Sequence, residues 1–303
     1  MKKNTIFCIT CCMILLGGCL NQENENAEME KQRNKEDEQY ISVQDYDGEG
    51  YTLRGGQEEA VDIAEQHKEE IVKAVEKFFL ENYKIEVKVN HFIGAKDAVS
   101  VTVESVNKPF FYSYAIVPVD FKSKTVATDQ VFTLEGEVEQ DIQTGLYAMA
   151  YEEEFSNLDK YLEKIEKEHP IISINKTAIQ NTNIIRGYAK PYYFISIGSY
   201  TMDELFDRYM KNPTINKKKI KKFLISNPID PEYITISIEF FMEAKDVEPD
   251  QKIFNMIVKD IKEMADIPKG SYSIFLNDND INKQTAMGKN AISVSYPDSI
   301  IKE

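Results

Sequence analysis

The distribution of cysteine limits how this chain can be held together. All four cysteines lie within the first nineteen residues, and the rest of the 303-residue sequence contains none. A fold built from that remainder has no disulfide, no thiolate zinc site and no cysteine nucleophile. Its stability must come from a hydrophobic core, and the chain is long enough to bury one.

The first nineteen residues have the layout of a secretory signal. Two lysines precede an apolar run from Ile6 to Leu16, roughly half of the 20 residues that a transmembrane helix needs. The box Leu16-Gly17-Gly18-Cys19 resembles the lipobox of bacterial lipoproteins. That resemblance implies signal cleavage between Gly18 and Cys19, and lipidation of the Cys19 sulfur with two acyl chains. An ordinary cleaved signal that leaves Cys19 as a free thiol is the alternative.

The organisation of the chain follows from these features. We expect a signal peptide over residues 1–18 and a flexible acidic tether over 19–39, because the tether is nearly free of large apolar residues. The expected location is the extracytoplasmic face of the cell membrane, with the membrane as a partner through the lipid on Cys19. A formal net charge of −15 argues against a nucleic-acid partner.

Hydrophobic periodicity from Tyr40 onward predicts a mixed α+β fold, in which antiparallel meanders pack with amphipathic helices. A boundary or long loop is predicted over 171–187, which gives two α+β units, 40–170 and 171–303. Helices beside runs of strands in both halves suggest that the two units are similar. The predicted helices cover 58–83, 136–167, 202–210, 216–225 and 249–265. The predicted strands cover 84–93, 98–106, 110–120, 191–198, 233–242, 271–277 and 291–297.

The three histidines are the first candidates for acid–base chemistry. His67 falls on the apolar side of the first helix, where a core or boundary role is more common than a catalytic one. His91 lies in a predicted strand, and His169 lies at a helix end. No paired histidine spacing of a zinc protease is present. We therefore assign no catalytic histidine.

Two Ser-x-x-Lys pairs resemble the start of a serine acyl-transfer motif. They are Ser105 with Lys108 and Ser173 with Lys176. Neither pair lies at the start of a predicted helix, and the companion motifs are missing. The sequence therefore predicts no catalytic residue, and we favour a protein that is not an enzyme.

One stretch imitates the start of a calcium-binding loop. Asp278, Asp280 and Asn282 occupy its first, third and fifth positions, but Lys283 stands where glycine is required and Lys289 where a glutamate is required. We interpret the stretch as a polar turn between the last two strands, with these three residues as weak metal candidates only. No metal or cofactor is predicted.

Three other stretches have two interpretations each. The carboxylates of "QDYDGEG", Asp45, Asp47 and Glu49, either gather a cation or belong to a glycine-rich turn. The basic run "KKKIKK" at 217–222 either meets anionic polymer or lipid headgroups, or is a solvated helix face. The aromatic stretches "PFFYSY" and "PYYFIS" either stack on sugars or, as we favour, form core and cross-strand pairs.

Several longer stretches together resemble a known family. They are "VQDYDGEGYTLRGG" (43–56), "FFYSYAIVPVD" (110–120), "EGEVEQDIQTGLYAMAY" (135–151), "PYYFIS" (191–196) and "YITISIEFFM" (233–242). The sequence is similar to lipoproteins of low-GC Gram-positive bacteria grouped as domain of unknown function 1672. The resemblance implies a lipid-anchored envelope protein, and Cys19 is the residue that it assigns a role.

Three functions remain open at this stage. We favour a non-enzymatic surface lipoprotein that binds another protein or a polymer of the cell envelope. A small-molecule (solute) binding lipoprotein is the first alternative. A carboxylate-dependent hydrolase is the second, because two of the 51 acidic residues could converge in three dimensions.

Overall fold

The computed structural model describes residues 39–303. The predicted signal of residues 1–18, the cleavage point between Gly18 and Cys19, and the predicted tether up to residue 38 lie outside the described residues. Residues Tyr40–Glu303 form one compact unit. Among the described residues, no helix combines the length and the apolar character needed to cross a membrane.

Eight α-helices lie within residues 39–303, and helices and strands together confirm the predicted mixed α+β class. The helices are α1 Glu58–Gln66, α2 Lys68–Tyr83, α3 Glu137–Ala150, α4 Glu152–Glu168, α5 Lys176–Asn181, α6 Tyr200–Lys211, α7 Lys217–Ser226 and α8 Gln251–Glu263.

At two places the structure has a pair of helices where the sequence predicted one. The helix predicted over 58–83 breaks at His67, and the helix predicted over 136–167 breaks at Tyr151, where φ is −111° in both cases. His67 Nε2 lies 3.1 Å from the carbonyl oxygen of Lys124, and the ring of Tyr151 lies 4.7 Å from that of Tyr147. A break of one residue hardly changes the 3.6-residue periodicity of the apolar positions. The sequence therefore predicted one continuous helix at each place.

The first sheet has the predicted antiparallel meander. Its strands are β2 Val87–Ala95, β3 Ala98–Ser105, β4 Tyr112–Asp120 and β5 Thr125–Val126, paired in chain order. Each pairing is antiparallel. The alternation of β-branched residues with the turn at Lys96–Asp97 explains this hairpin order.

The second sheet contains one pairing that differs from the expected meander. Its strands are β6 Ile171–Ile172, β7 Ala189–Lys190, β8 Tyr193–Ile197, β9 Ile234–Met242, β10 Gly270–Asn277, β12 Ala291–Val294 and β13 Ile300–Lys302. The central strands β9 and β10 are parallel, and the other pairings are antiparallel. Helix α8 supplies the crossover connection that a parallel pair requires.

A two-stranded sheet joins the start of the described chain to its last third. Strand β1, Tyr40–Ser42, pairs antiparallel with β11, Asp280–Asn282. The Ser42 hydroxyl donates to Asn279 Oδ1 at 2.5 Å, and Asn279 Nδ2 donates to the carbonyl oxygen of Met242 at 2.7 Å. This buried polar network fixes β1 against the end of β9.

The core is continuous across the predicted division after residue 170. One cluster of buried side chains takes members from α2, from the first sheet and from β8, β9 and β10. A second cluster joins Val43 and Tyr46 to Ile179 and Ile281. The segment 171–187, predicted as a boundary or long loop, contains strand β6 and helix α5. Asn175 caps α5 by accepting a hydrogen bond from Thr177 N at 2.9 Å.

Candidate ligand-binding cleft

A cavity of about 550 Å³ lies where the first sheet meets residues 188–191. Strand β2, the end of β3, the residues that lead into β4, and helix α5 form its other walls. We call this cavity the basic cleft. The lining residues that matter for its chemistry are Lys88, Lys176, Lys190, Glu104, Phe110, Tyr112 and Tyr188.

The basic cleft is positive in a chain that is strongly negative. Three lysines and one glutamate line it, a formal sum of +2 against −15 for the whole chain. Lys88 Nζ lies 3.4 Å from Glu104 Oε1, and Lys176 Nζ lies 3.9 Å from Glu104 Oε2. Both lysines are well exposed, so these ion pairs are weak and the ammonium groups can turn toward a ligand.

Glu104, the acidic residue of the cleft, is fixed by a hydrogen bond from α5. Gln180 Nε2 of α5 donates to Glu104 Oε2 at 2.9 Å. Burial, with a smaller effect of the Glu104 charge, raises the pKa of Tyr112 to about 12. The Tyr112 hydroxyl therefore keeps its proton at neutral pH and is able to donate it in a hydrogen bond.

A second cavity of about 220 Å³ adjoins the first, and we call it the side pocket. Phe110, Tyr188 and Lys190 line both cavities. The side pocket adds Lys108, which pairs with Glu152. Hydrogen bonds from Lys108 and from Lys217 lower the pKa of Glu152 to about 2.

Close packing against α3 fixes the loop that carries Phe110. A Cβ on Gly145 of α3 would lie 2.7 Å from the carbonyl oxygen of Phe110 and 3.0 Å from Pro109 Cβ. Only glycine lets the loop approach the helix this closely. The Phe110 side chain, 48% exposed, is thereby placed between the two cavities.

Helix α3 also fixes the segment that supplies Tyr188 and Lys190. The Thr144 hydroxyl oxygen accepts a hydrogen bond from Tyr188 N at 2.6 Å. Gly187, at φ +70°, exchanges backbone hydrogen bonds of 2.8 and 2.9 Å with Tyr112. A Cβ on Gly187 would lie 2.5 Å from Thr144 Oγ1, so this position needs glycine for both space and conformation.

Comparison with protein families gives a match over nearly all of the described residues. A family described as protein of unknown function (DUF1672) matches residues 33–302. The chain belongs to this family.

A solved structure of a DUF1672 family protein from Staphylococcus aureus subsp. aureus Mu50 is similar to this chain, with a TM-score of 0.69 and 21% identity. The match covers 88% of this chain and 98% of that one. At this identity the likeness shows a shared fold. Among curated proteins, nothing matches.

This DUF1672 chain carries two carboxylates beside the cleft on α3, a partly exposed one at Glu137 and a buried one at Asp141. Glu137 accepts hydrogen bonds from Arg186 and Tyr114, and the Arg186 guanidinium lies 5.4 Å from the centre of the Tyr114 ring. One turn along the helix, Asp141 is 4% exposed and accepts from the Ser113 hydroxyl at 2.7 Å. Burial raises the pKa of Asp141 to about 7, although the Arg186 charge opposes the shift.

Two of the three histidines lie at helix ends, and the third lies within strand β2. His67 lies between α1 and α2 with its ring at the Lys124 carbonyl, His91 is exposed on β2, and His169 ends α4. None of the three lines either cavity described above.

Each serine of the two Ser-x-x-Lys pairs bonds to a group other than its lysine. Ser105 Oγ accepts from Phe111 N at 3.0 Å, and Ser173 Oγ donates to Glu166 Oε1 at 2.9 Å. Lys108 and Lys176 pair with Glu152 and Glu104 instead.

The three weak metal candidates, Asp278, Asp280 and Asn282, make contacts within the protein. Asp278 Oδ2 accepts from Asn290 Nδ2 at 2.7 Å, and Asn282 Oδ1 accepts from two backbone N–H groups of the following turn. Asp280 lies 3.6 Å from Lys289. The interpretation of this stretch as a polar turn between the last two strands is wrong for Asp280–Asn282, which forms strand β11 and pairs with β1. Residues 39–303 contain no group of three or more acidic, histidine or cysteine side chains arranged for a metal ion.

The acidic turn and the basic run are also occupied by internal contacts. Asp47 Oδ1 accepts from Glu49 N at 2.9 Å, and Asp45 lies 3.5 Å from Lys245. In the basic run, Lys217 pairs with Glu152 at 2.7 Å and Lys221 with Glu154 at 2.6 Å, while the lysines at 218, 219 and 222 are exposed.

Of the aromatic stretches, Phe111, Tyr114 and Tyr193 are buried as we favoured. Three residues of "PFFYSY" line the basic cleft, the buried Phe111 and its neighbours Phe110 and Tyr112.

Sequence reasoning did not predict that the lysines converge at a cleft, although it considered Lys176 as the partner of Ser173, and it missed the buried Asp141. Lys88, Lys176 and Lys190 are distant along the chain, and each occurs where a solvated lysine is ordinary. Asp141 carried a usable signal. It lies three residues after Val138 and four before Gly145, on the face of α3 that turns inward, where a carboxylate is unusual.

Proposed function

We propose that this protein is a lipid-anchored binding protein of the cell envelope, which holds an anionic ligand in the basic cleft. The observation that carries the proposal is a cavity lined by three lysines and one glutamate in a chain of net charge −15. A protein that repels anions over most of its surface has a reason to concentrate positive charge at one cavity when the ligand is an anion. The lipobox Leu16–Cys19 supports the anchor and the envelope location.

The dimensions and the lining of the cleft support this function. Its volume of about 550 Å³ lies within the range typical of ligand sites, roughly 300–1,000 Å³. Phe110 and Tyr188 provide apolar surface, and Tyr112 provides a hydroxyl donor. A few polar groups on an apolar wall are the usual composition of such sites.

Binding is better supported than catalysis. Asp141 has the raised pKa of a general acid, but it lies on the inward face of α3 and does not line either described cavity. A general acid must reach the substrate directly or through one water molecule. Its neighbour Glu137 is already engaged by Arg186 and Tyr114. This arrangement serves to hold residues 186–190 in place.

Calorimetric titration of residues 40–303 with glycerol phosphate tests the ligand proposal. We expect saturable binding that weakens at least tenfold in the variant Lys88→Gln, Lys176→Gln, Lys190→Gln, which corresponds to about 1.4 kcal/mol. The matched control changes the three exposed lysines of α7, at 218, 219 and 222, to glutamine and removes the same charge elsewhere. Equal weakening in both variants, or no binding by the unaltered protein, refutes a specific anion site.

Metabolic labelling with palmitate tests the anchor. The full chain is expected to incorporate the label and to fractionate with membranes, because two acyl chains hold a protein at the bilayer. The variant Cys19→Ser is expected to lose the label and to leave the membrane fraction. An unlabelled full chain would favour the ordinary cleaved signal.

A further inference from the structure

Helix α7 carries the basic run at 217–222, and internal ion pairs use two of its five lysines. Lys217 pairs with Glu152 at 2.7 Å, and Lys221 pairs with Glu154 at 2.6 Å. The other three, at 218, 219 and 222, are exposed and form no ion pair within residues 39–303. Glu152 and Glu154 both lie in the first turn of α4, so these pairs fix one side of α7 and leave three ammonium groups in solvent.

Ile225 lies on the outward side of α7 together with two of these lysines. Lys218, Lys222 and Ile225 are spaced by four and then three residues, which places them in one line along a helix. The opposite side of α7 packs on the core through Ile220, Phe223 and Leu224. Ile225 is 68% exposed, so a large apolar side chain stands beside ammonium groups on the surface.

This combination fits a lipid bilayer better than a soluble polyanion. Anionic headgroups attract lysines at the membrane surface, and an apolar side chain beside those lysines is stabilised when it leaves water for the boundary between headgroups and acyl chains. A polyanion dissolved in water would pair with the lysines and leave Ile225 in water. Pro228, exposed in the segment after α7, adds apolar surface at the same end of the helix as Ile225.

Screening by salt limits the influence of the net charge of −15 on this contact. At about 0.1 M ionic strength the Debye length is about 10 Å, roughly the diameter of one helix. Charges on α7 therefore act on a bilayer that α7 touches, while charges on the far side of the protein act little. The cationic surface ends beside a cavity that Ile225 and Pro228 help to line, where the charged side chains of Asp230, Lys269 and Glu303 sum to −1.

We propose that the outward face of α7, formed by Lys218, Lys219, Lys222 and Ile225, docks on an anionic phospholipid bilayer. The ammonium groups lie at the lipid phosphates, and Ile225 lies at the boundary of the acyl chains. This inference goes beyond the proposed function and depends neither on the lipid at Cys19 nor on the ligand of the basic cleft. When the lipid anchor is present, it raises the effective concentration of α7 at the bilayer, and α7 then sets which side of the protein faces the membrane.

A tryptophan probe at position 225 tests the docking directly, because the chain contains no tryptophan. Residues 40–303 with Ile225→Trp are titrated with vesicles of equal parts phosphatidylglycerol and phosphatidylcholine. We expect a blue shift of the emission and quenching by brominated acyl chains, since the indole ring prefers the membrane interface. Tyr296→Trp, at a position that is 91% exposed, is the control and should show neither change. Vesicles of phosphatidylcholine alone should affect neither probe.

Lysine variants test the electrostatic part of the contact. In the Ile225→Trp protein, glutamine at 218, 219 and 222 should weaken vesicle binding at least tenfold, because one lysine near an anionic leaflet contributes about fivefold. The matched control changes three exposed lysines of α8, at 252, 259 and 262, to glutamine and should leave vesicle binding unchanged. One soluble phosphate gains little at exposed lysines, so the α7 lysines still serve as the control for the basic cleft.

Each contrary outcome has a distinct meaning. No response of the probe at 225 to phosphatidylglycerol vesicles, or an equal response of the probe at 296, refutes docking through α7. Equal weakening by the α7 and α8 changes, or equal binding to phosphatidylcholine alone, refutes the role of the three lysines. A response of the probe at 225 to inorganic polyphosphate but not to vesicles would assign the surface to a soluble polymer and refute the bilayer. All of these outcomes leave glycerol phosphate binding and Cys19 labelling to be decided by their own experiments.

Discussion

Asp141 is a buried side chain that makes the stability of the fold depend on pH. Its carboxyl group is 4% exposed and titrates near pH 7, whereas an unfolded aspartate titrates near 3.9. Between these values the folded protein keeps a proton that the unfolded chain has lost. The group therefore contributes full stability below about pH 4, and this contribution is lost as the pH rises toward 7.

The substitution Asp141→Asn should remove this part of the pH dependence. The amide keeps an oxygen for the Ser113 hydroxyl but has no charge to bury. Urea unfolding at pH 5 and at pH 7.5 should show the difference in unfolding free energy between variant and parent shifting by about 2 kcal/mol in favour of the variant at the higher pH. Asp129→Asn, at an exposed position, is the control, and equal pH dependence of both variants would contradict the assignment.

Gly187 is a second residue on which the cleft depends. Alanine there should lower the unfolding free energy by about 2 kcal/mol, because φ is +70° and the new Cβ would meet the Thr144 hydroxyl. Displacing that hydroxyl also frees Tyr188, so glycerol phosphate should bind more weakly. Gly198→Ala is the control, since nothing lies within 4 Å of its Cβ position. Equal unfolding free energies in urea would argue against strain at Gly187.

At the level of elements, the sequence predicted what is local. Strands β2, β3 and β4 and helices α6, α7 and α8 lie where alternation and periodicity placed them, because one face of each packs on a core. Strand β1 escaped prediction, since three residues gain strand geometry only by pairing with β11, far along the chain. The breaks at His67 and Tyr151 escaped because they depend on contacts with other elements.

The basic cleft could not be predicted from the sequence for the same reason, because it depends on contacts between residues far apart along the chain. Lys88, Lys176 and Lys190 come together through the pairing of Gly187 with Tyr112 and the contact of Gln180 with Glu104. Neither contact has a local pattern in the sequence. The aromatic stretch "PFFYSY" was the nearest signal, and the interpretation that we favoured for it, core and cross-strand pairs, does not describe Phe110.

Helix α8 is an element whose start can be tested directly. It provides the crossover between the parallel strands β9 and β10, and Asp250 caps it by accepting from Lys252 N at 2.7 Å and Ile253 N at 3.1 Å. Asp250→Ala should lower the unfolding free energy by about 1 kcal/mol. Glu248→Ala removes the same charge from an exposed position just before the helix. A loss equal to that of the control would show that charge, and not the cap, is responsible.

For the whole molecule, the question is whether the two sheets are independent. The first sheet lies in the predicted unit 40–170 and the second sheet in the predicted unit 171–303, yet α3 packs against both β4 and β8. The buried cluster that contains Val101 of β3 also contains Ile274 of β10. A shared core couples the sheets, because unfolding one of them would expose apolar surface on the other.

Residues 40–303 should therefore unfold in one transition. The chain has no tryptophan, so Phe121→Trp beside the first sheet and Phe275→Trp in β10 give separate fluorescence probes. Both probes should report the same urea midpoint. Adding Val101→Ala, which removes buried methyl groups from β3 at a cost of about 2 kcal/mol, should lower both midpoints equally. If only the Phe121→Trp probe responded, the two sheets would be separate cooperative units, and the division after residue 170 would be a domain boundary.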